Sequence, residues 1–224
     1  MGLISRLLSQ CRLPRGRFGL FLAREMNRAH GPMTRWVLSR IPVSDQRSVL
    51  DVGCGGGGTI LKLSRLLPGA EIHGIDYSPV CVSTSFRTNR GLVEKKRAFV
   101  SRACVSHLPF REACFDLALA VESHYFWPDL LADIGEIRRV VRDGGILAIA
   151  GGVYFGGRSD HRNRKLASLG GMNCQTLAEL SDTLSRAELV DVEVHENERK
   201  GWFCVTGRKR GQSEAMRREG SSFL

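Results

Sequence analysis

A carboxylate, a run of bare backbone and a second carboxylate follow one another within residues 49–76. The first part reads VLDVGCGGGG, with Asp51 just ahead of Gly53 and four consecutive glycines at Gly55–Gly58. Glycine loses much backbone entropy when it is ordered, so such a cluster marks a tight turn or the close approach of another group. Asp51 would be poorly placed beside a pyrophosphate and well placed near a cation, directly or through a bound water.

The second carboxylate, Asp76, follows Gly53 by about 20 residues, at the end of the next β-rich run. A carboxylate at this position suits a ribose diol as a bidentate acceptor. The glycines also satisfy G-x-G-x-x-G, the dinucleotide fingerprint, but four glycines in a row meet many templates. A ligand with ribose, adenine and a positive charge but no phosphate is S-adenosylmethionine, and the two carboxylates favour it.

The elements that must position these residues alternate between strand and helix signals. Strands are predicted at Ser48–Val52, Glu71–Ile75, Arg97–Ser101, Phe115–Val121, Ile146–Gly151, Asp191–Glu196 and Trp202–Thr206. Helices are predicted at Thr59–Leu67, Ser78–Asn89 with Gly91 as its C-terminal cap, Asp129–Val141 and Thr176–Ala187. This pattern predicts an α/β, Rossmann-like, doubly wound fold with a mostly parallel seven-stranded sheet and a C-terminal antiparallel strand pair. Ligands of such sheets bind beyond the carboxyl ends of the strands, where the strand order reverses.

The net charge of +10 resides at the two ends of the chain. Residues 1–40 carry eight arginines and one glutamate, and residues 208–224 carry five basic and two acidic side chains. We therefore predict a basic N-terminal helical arm or lid over residues 1–46, a cofactor-binding domain over residues 47–207 and a disordered basic tail over residues 208–224. Within the arm, a helix over Phe18–Ile41 is expected to be interrupted at Gly31-Pro32.

The composition also indicates the cellular compartment and whether a metal site is expected. The first 24 residues are rich in arginine and lack acidic residues, as in a mitochondrial transit peptide. We expect a cytoplasmic protein, or a mitochondrial one if this segment is a transit peptide. The seven cysteines form no C-x-x-C pair and no Cys/His metal spacing, so they are expected to be reduced thiols and no metal site is predicted. No apolar run reaches the roughly 18 residues that span a bilayer, and the oligomeric state stays open.

Four stretches in order resemble class I S-adenosylmethionine-dependent methyltransferases, of the type 11 group related to the menaquinone and ubiquinone C-methyltransferases. They are VLDVGCGGG, IHGIDYSP, HLPFREACFDLALAVESHYFWPD and EIRRVVRDGGILAI. The resemblance is strong over about Arg47–Gly151 and loose elsewhere, and it implies an enzyme that uses S-adenosylmethionine. The chain departs from the family at Cys104, where an aspartate commonly accepts a hydrogen bond from the adenine amino group. A thiol is a weak acceptor, although the Val105 amide could still donate to an adenine ring nitrogen.

The resemblance also implies roles for individual residues. The predicted cofactor-binding residues are Asp51, Gly53, Cys54, Gly55, Asp76, Tyr77, Cys104, Val105 and Glu122. Methyl transfer from a sulfonium is an in-line displacement, so positioning does most of the work, and the acceptor sometimes needs deprotonation. His124 and Tyr125 are the predicted catalytic residues, with His124 as the base because an imidazole titrates near neutral pH. Asn27, His30 and Trp127 are predicted to bind the substrate.

Three functions fit these observations. The favoured one is methyl transfer to a small-molecule acceptor, since no large inserted or appended domain is evident. The second is methylation of RNA or another nucleic acid with the help of the basic arm. No Asn-Pro-Pro-Tyr-like motif or Pro-Cys pair follows the fourth strand, where amino-group or carbon-5 methylation of bases often needs one. The third is a degenerate, non-catalytic binding protein that kept the fold.

Overall fold

Seven strands form one sheet in the computed structural model, which describes residue 10 and residues 12–211. The strands are β1 (Ser48–Val52), β2 (Glu71–Asp76), β3 (Ala98–Arg102), β4 (Phe115–Val121), β5 (Val141–Gly151), β6 (Leu189–Asn197) and β7 (Trp202–Lys209). Their order across the sheet is β3-β2-β1-β4-β5-β7-β6. β7 runs antiparallel to β5 and β6, and the other neighbouring strands are parallel. The predicted fold class and the antiparallel strand pair are confirmed.

Helices separate most of the strands. Within the described ranges they are α1 (Gly16–Ala29), α2 (Gly31–Leu38), α3 (Gly58–Leu66), α4 (Pro79–Thr88), α5 (Arg90–Glu94), α6 (Leu130–Val140), α7 (Asp160–Gly170) and α8 (Leu177–Arg186), together with a 3₁₀ turn at His124–Phe126. The predicted interruption of the arm helix is confirmed, because α2 begins at Gly31 with a proline in its first turn. Proline is tolerated there, where its missing N–H would be unpaired in any case.

Side-chain caps are found at three of the predicted helix starts, Ser78, Asp129 and Thr176. The Ser78 hydroxyl accepts from the Cys81 N–H at the start of α4. Thr176 and Glu179 form a reciprocal capping box at the start of α8. Each such cap satisfies backbone N–H groups that have no partner inside the helix, which contributes about 1 kcal/mol.

Three local predictions are corrected. Gly91 lies inside α5 and does not cap α4, whose C-terminal cap is Asn89. Helix α7 was missed because its sequence, DHRNRKLASLG, has too few apolar residues to show a helical period. The proposed tail begins too early, since residues 208 and 209 belong to β7. Residues 1–9, 11 and 212–224 lie outside the described part, and they include most of the predicted tail and ten residues of the transit-peptide segment.

Apolar side chains bury both faces of the sheet. One cluster includes Phe115, Ile134 and Ile149, and the cluster on the other face includes Ile60 and Leu117. Because both faces are covered, the carboxyl edge of the parallel strands is the part of the sheet left to a ligand. No helix in residues 12–211 combines the length and the apolar content that crossing a bilayer requires.

Candidate active site

A cavity of about 760 Å³ lies at the carboxyl edge of the sheet, where the strand order reverses between β1 and β4. Segments that follow β1, β2, β3 and β4 supply its walls, and residues of the arm cover it. Eight of the nine predicted cofactor-binding residues line it, namely Gly53, Cys54, Gly55, Asp76, Tyr77, Cys104, Val105 and Glu122. The ninth, Asp51, lies directly before the lining residues Val52 and Gly53. The structure thus brings together the whole predicted set, while its binding role stays a prediction.

The glycine loop that links β1 to α3 needs its glycines for different reasons. Gly53, Gly55 and Gly57 have φ angles of 76°, 52° and 83°, which side chains of L-residues rarely adopt. A Cβ added at Gly53 would lie 2.4 Å from the Ser123 Cβ, whereas one added at Gly55 would meet no atom within 4 Å. Packing against the loop after β4 therefore requires Gly53. Gly55 presents bare backbone to the cavity, where a ligand can approach closely.

Two asparagines from distant helices hold this loop. The Asn27 amide donates to the Gly56 carbonyl at 2.7 Å, and its oxygen accepts from the Gly58 N–H at 3.2 Å. The Asn89 amide donates to the Gly57 carbonyl at 3.0 Å. Asn27 also lines the cavity, so its contacts give it a role in positioning the loop, while its predicted substrate-binding role stays a prediction. Sequence reasoning missed both contacts because they join residues about 30 positions apart with no local pattern.

Asp76 presents a carboxylate whose geometry is set by backbone. Its Oδ2 accepts from the Gly55 N–H at 2.9 Å and its Oδ1 from the Ser78 N–H at 2.8 Å. Burial raises the pKa of Asp76, and these two hydrogen bonds lower it. Since a carboxylate has about four lone-pair sites, each oxygen retains one for a hydroxyl donor. The carboxylate therefore fits the two hydroxyls of a ribose.

Asp51 is a buried carboxylate with an unused acceptor. Its side chain is 1% exposed, and no group in the described ranges donates to Oδ2. Burial and, as the smaller cause, the charge of Asp76 raise the pKa of Asp51 to about 8, and the charge of Lys62 opposes them. A buried acceptor without a partner costs roughly 1–3 kcal/mol, so a cationic donor at this end of the cavity would stabilise it. Together with the bare backbone at Gly55, this acceptor fits S-adenosylmethionine, which carries an ammonium group and a ribose.

Tyr77, Arg102 and Cys104 lie at the end of the cavity near Asp76. Tyr77 is 58% exposed, and the Arg102 guanidinium lies 5.8 Å from its ring centroid. The Cys104 thiol lies 3.7 Å from the Ser106 hydroxyl. The arm segment 12–15 runs over this end and lines the cavity. Its Pro14 carbonyl accepts from the Ser78 hydroxyl at 3.0 Å. This end of the cavity is the expected adenine site, and the arm covers it.

The opposite end contains Glu122 and His30. Glu122 follows β4 with a φ of 58°, a strained backbone of the kind that clusters at functional sites. Its Oε1 accepts from the Gly152 N–H and, at 3.3 Å, from the Tyr125 hydroxyl. His30 joins α1 to α2 and lines the same cavity. Burial raises the pKa of Glu122, and the charge of the nearby His30 lowers it.

Neither of the predicted catalytic residues lines this cavity. His124 faces a separate void of about 10 Å³ beside Phe203, and its Nδ1 has no partner in the described part of the chain. Burial lowers the pKa of His124 to about 3, so it would accept a proton poorly. The Tyr125 hydroxyl accepts from the N–H groups of Gly152 and Val153 at 3.0 and 3.1 Å, and burial raises its pKa. The structure therefore places His124 and Tyr125 outside this cavity, which argues against the predicted catalytic roles.

The 3₁₀ turn explains this placement. It directs His124 and Tyr125 into the core and leaves Phe126 and Trp127 on the cavity wall. Trp127, predicted to bind the substrate, is therefore brought to the cavity together with His30. Lys62 of α3 also lines it, a residue that the sequence analysis did not single out. In residues 12–211 no group of three His, Cys, Asp or Glu side chains is arranged to hold a metal ion.

Comparisons with known proteins find methyltransferases. Residues 50–149 match the methyltransferase domain family. Ribosomal RNA large subunit methyltransferase G of Shewanella baltica is 34% identical over 128 residues, which are 52% of this chain and 32% of that protein. An O-methyltransferase of Pyrenophora dematioidea is 36% identical over 118 residues, 53% of this chain and 44% of that protein. The match thus spans less than half the length of either relative.

Solved structures share the fold at low identity. Phosphoethanolamine N-methyltransferase 2 of Haemonchus contortus, in complex with S-adenosyl-L-methionine, has a TM-score of 0.75 at 14% identity over 94% of this chain and 61% of that one. A complex of the Haloferax volcanii Trm112 methyltransferase activator with a putative methyltransferase contains a chain with a TM-score of 0.71 at 18% identity, covering 94% of this chain and 99% of that one. The family match contains the glycine loop, both carboxylates and Glu122. Residues 50–149 therefore match a methyltransferase domain family, and the chain shares its fold with solved methyltransferases, one of them bound to S-adenosyl-L-methionine.

Proposed function

We propose that this chain transfers a methyl group from S-adenosylmethionine to a small-molecule acceptor. The observation that carries the proposal is the lining of the cavity. Beside His30 and Glu122 it includes a mainly apolar set, Met26, Phe126, Trp127 and Thr34. Concave, mostly apolar pockets with a few convergent polar groups are typical small-molecule sites.

The residues of the chain contribute binding and orientation. S-adenosylmethionine supplies a methyl group that is already activated on a sulfonium. Asp76 would hold the ribose, and the bare backbone at Gly55 would leave room for the methionine chain of the cofactor. Orientation of the two reactants can account for much of the rate, because a fixed geometry removes the entropic cost of bringing them together.

His30 is the candidate for removing a proton from the acceptor. Unlike His124, it lines the cavity, and histidine is the side chain best suited to proton transfer near neutral pH. The neighbouring Glu122 carboxylate would stabilise the imidazolium that forms. Tyr125 acts through Glu122, since its hydroxyl and the Gly152 N–H fix the Glu122 oxygen.

The direct test uses S-adenosylmethionine labelled with tritium in the methyl group. The full chain is incubated with a panel of small phenols, alcohols and amines and, separately, with total RNA. Label recovered in a small product, identified by mass spectrometry, supports the proposal. Label recovered in RNA alone supports the second candidate. Binding of S-adenosylhomocysteine without any transfer supports a non-catalytic binding protein.

The second candidate, an RNA methyltransferase, rests on two observations. The Shewanella relative acts on ribosomal RNA according to its name. Arg24 and Arg28 are exposed on α1, and Arg12 and Arg15 are exposed in the arm segment. Arginines that contact phosphates make binding strongly salt-dependent. A steep fall in RNA affinity between 50 and 200 mM salt, together with transfer, would favour this candidate.

A further inference from the structure

Lys62 places an ammonium group at the cavity without an acidic partner. Its Nζ donates to the Gly58 carbonyl at 3.1 Å, and it takes part in no ion pair within 4.0 Å among residues 12–211. Burial lowers the pKa of Lys62, and the charges of Arg35 and Arg65 lower it further. A half-buried cation beside two arginines is unfavourable unless an anion joins it.

Asp51 is an acidic side chain that, like Lys62, forms no ion pair with another described residue. It is buried, and its Oδ2 has no donor in the described part of the chain. The charges of Asp51 and Lys62 influence each other, but the two side chains form no ion pair. The ammonium group of Lys62 therefore lines the cavity, while the carboxyl group of Asp51 is buried directly before the lining residues Val52 and Gly53, and the two are not paired with each other. A ligand that carries both charges on neighbouring atoms would satisfy the two groups together.

We propose that Lys62 binds the α-carboxylate of the methionine end of S-adenosylmethionine while Asp51 accepts its α-ammonium group. This inference rests on the proposed function, because it concerns the cofactor of the same site. It makes Lys62 a specificity residue that selects an intact amino acid end. It also explains why a lysine faces the cavity from a helix whose other basic residue, Arg65, is exposed.

Calorimetric titration of the full chain tests the inference without any turnover. The ligands are S-adenosylhomocysteine and its decarboxylated analogue, and the variants are Lys62→Met, Lys62→Arg and the matched control Arg65→Met. We expect the wild type and Arg65→Met to prefer S-adenosylhomocysteine by about tenfold, as for loss of a charge-assisted hydrogen bond. Lys62→Met should lose this preference by binding S-adenosylhomocysteine about tenfold more weakly and the analogue within about twofold of wild type. Lys62→Arg should retain most of it.

Other results would overturn the inference in distinguishable ways. If the wild type binds both ligands equally well, the carboxylate is not recognised and only this inference fails. The same conclusion follows if Lys62→Met weakens both ligands equally or neither. If the wild type binds neither ligand at millimolar concentration, the proposed function fails as well. Thermal unfolding of each variant shows whether a loss of binding reflects a loss of folded protein.

Discussion

The Asn27 side chain bridges one carbonyl and one N–H group of the glycine loop. It donates to the Gly56 carbonyl at 2.7 Å and accepts from the Gly58 N–H at 3.2 Å. Gly58 is the first residue of α3, whose N-cap Gly57 has no side chain to offer. Asn27 therefore caps α3 from a different helix, and it ties α1 to the cofactor loop. The arm and the loop should respond to a substitution as one unit.

Replacing Asn27 by Ala should destabilise the protein by about 1–2 kcal/mol, the usual effect of losing a helix cap. It should also weaken S-adenosylhomocysteine binding, because the loop loses the support that fixes its backbone. Urea unfolding and calorimetric titration measure the two effects. Arg24→Ala, on the exposed face of the same helix, is the matched control. Wild-type stability and affinity in Asn27→Ala would show that the bridge contributes nothing.

Replacing Asp51 by Asn should stabilise the ligand-free protein at pH 8 but not near pH 4. The pKa of Asp51 is raised from 3.8 to about 8 by burial, so the folded state retains a proton that the unfolded chain releases between these values. The contribution of Asp51 to stability is thus full below about pH 4 and declines as the pH rises toward 8. We expect Asp51→Asn to gain roughly 1–3 kcal/mol over wild type at pH 8.

Urea unfolding at several pH values measures this gain, and S-adenosylhomocysteine affinity should fall in the same variant. Asp45→Asn, at an exposed turn, is the control and should show neither change. A difference between Asp51→Asn and wild type that stays constant from pH 4 to pH 8 would disprove the raised pKa.

His30→Gln should reduce kcat by about 10²–10⁴ while leaving S-adenosylhomocysteine affinity within about twofold, as for loss of a general base. His124→Gln should retain kcat within about threefold if the variant folds, because His124 lies outside the cavity. Steady-state kinetics with the acceptor found by methyl labelling gives both values. The reverse pattern, with kcat lost only in a folded His124→Gln protein, would restore the sequence-based assignment.

Gly53→Ala and Gly55→Ala should differ in severity. Both residues have positive φ, which costs about 1–2 kcal/mol for alanine. Only the Cβ at Gly53 also meets Ser123, at 2.4 Å, so this variant should lose more stability. The double variant Gly53→Ala/Ser123→Gly should recover part of the loss in thermal unfolding. Equal destabilisation by the two single variants would argue against the clash.

The sequence predicted most of the sheet because its strands carry local signals. Apolar β-rich runs, the glycine loop and the carboxylates at Asp51 and Asp76 all lie in continuous motifs. The positions of Asn27 and His30 at the cavity depend on contacts between distant segments. One sequence holds no periodic signal for such contacts. The roles of His124 and Tyr125 could not be predicted because a single 3₁₀ turn decides which side chains enter the core.

The bond from the Ser78 hydroxyl to the Pro14 carbonyl places the arm over the nucleoside end of the cavity. Since residues 12–15 also line the cavity, we expect a nucleoside held under them to leave only after this bond opens. The rate at which the arm detaches should then govern how fast a bound nucleoside exchanges with solvent.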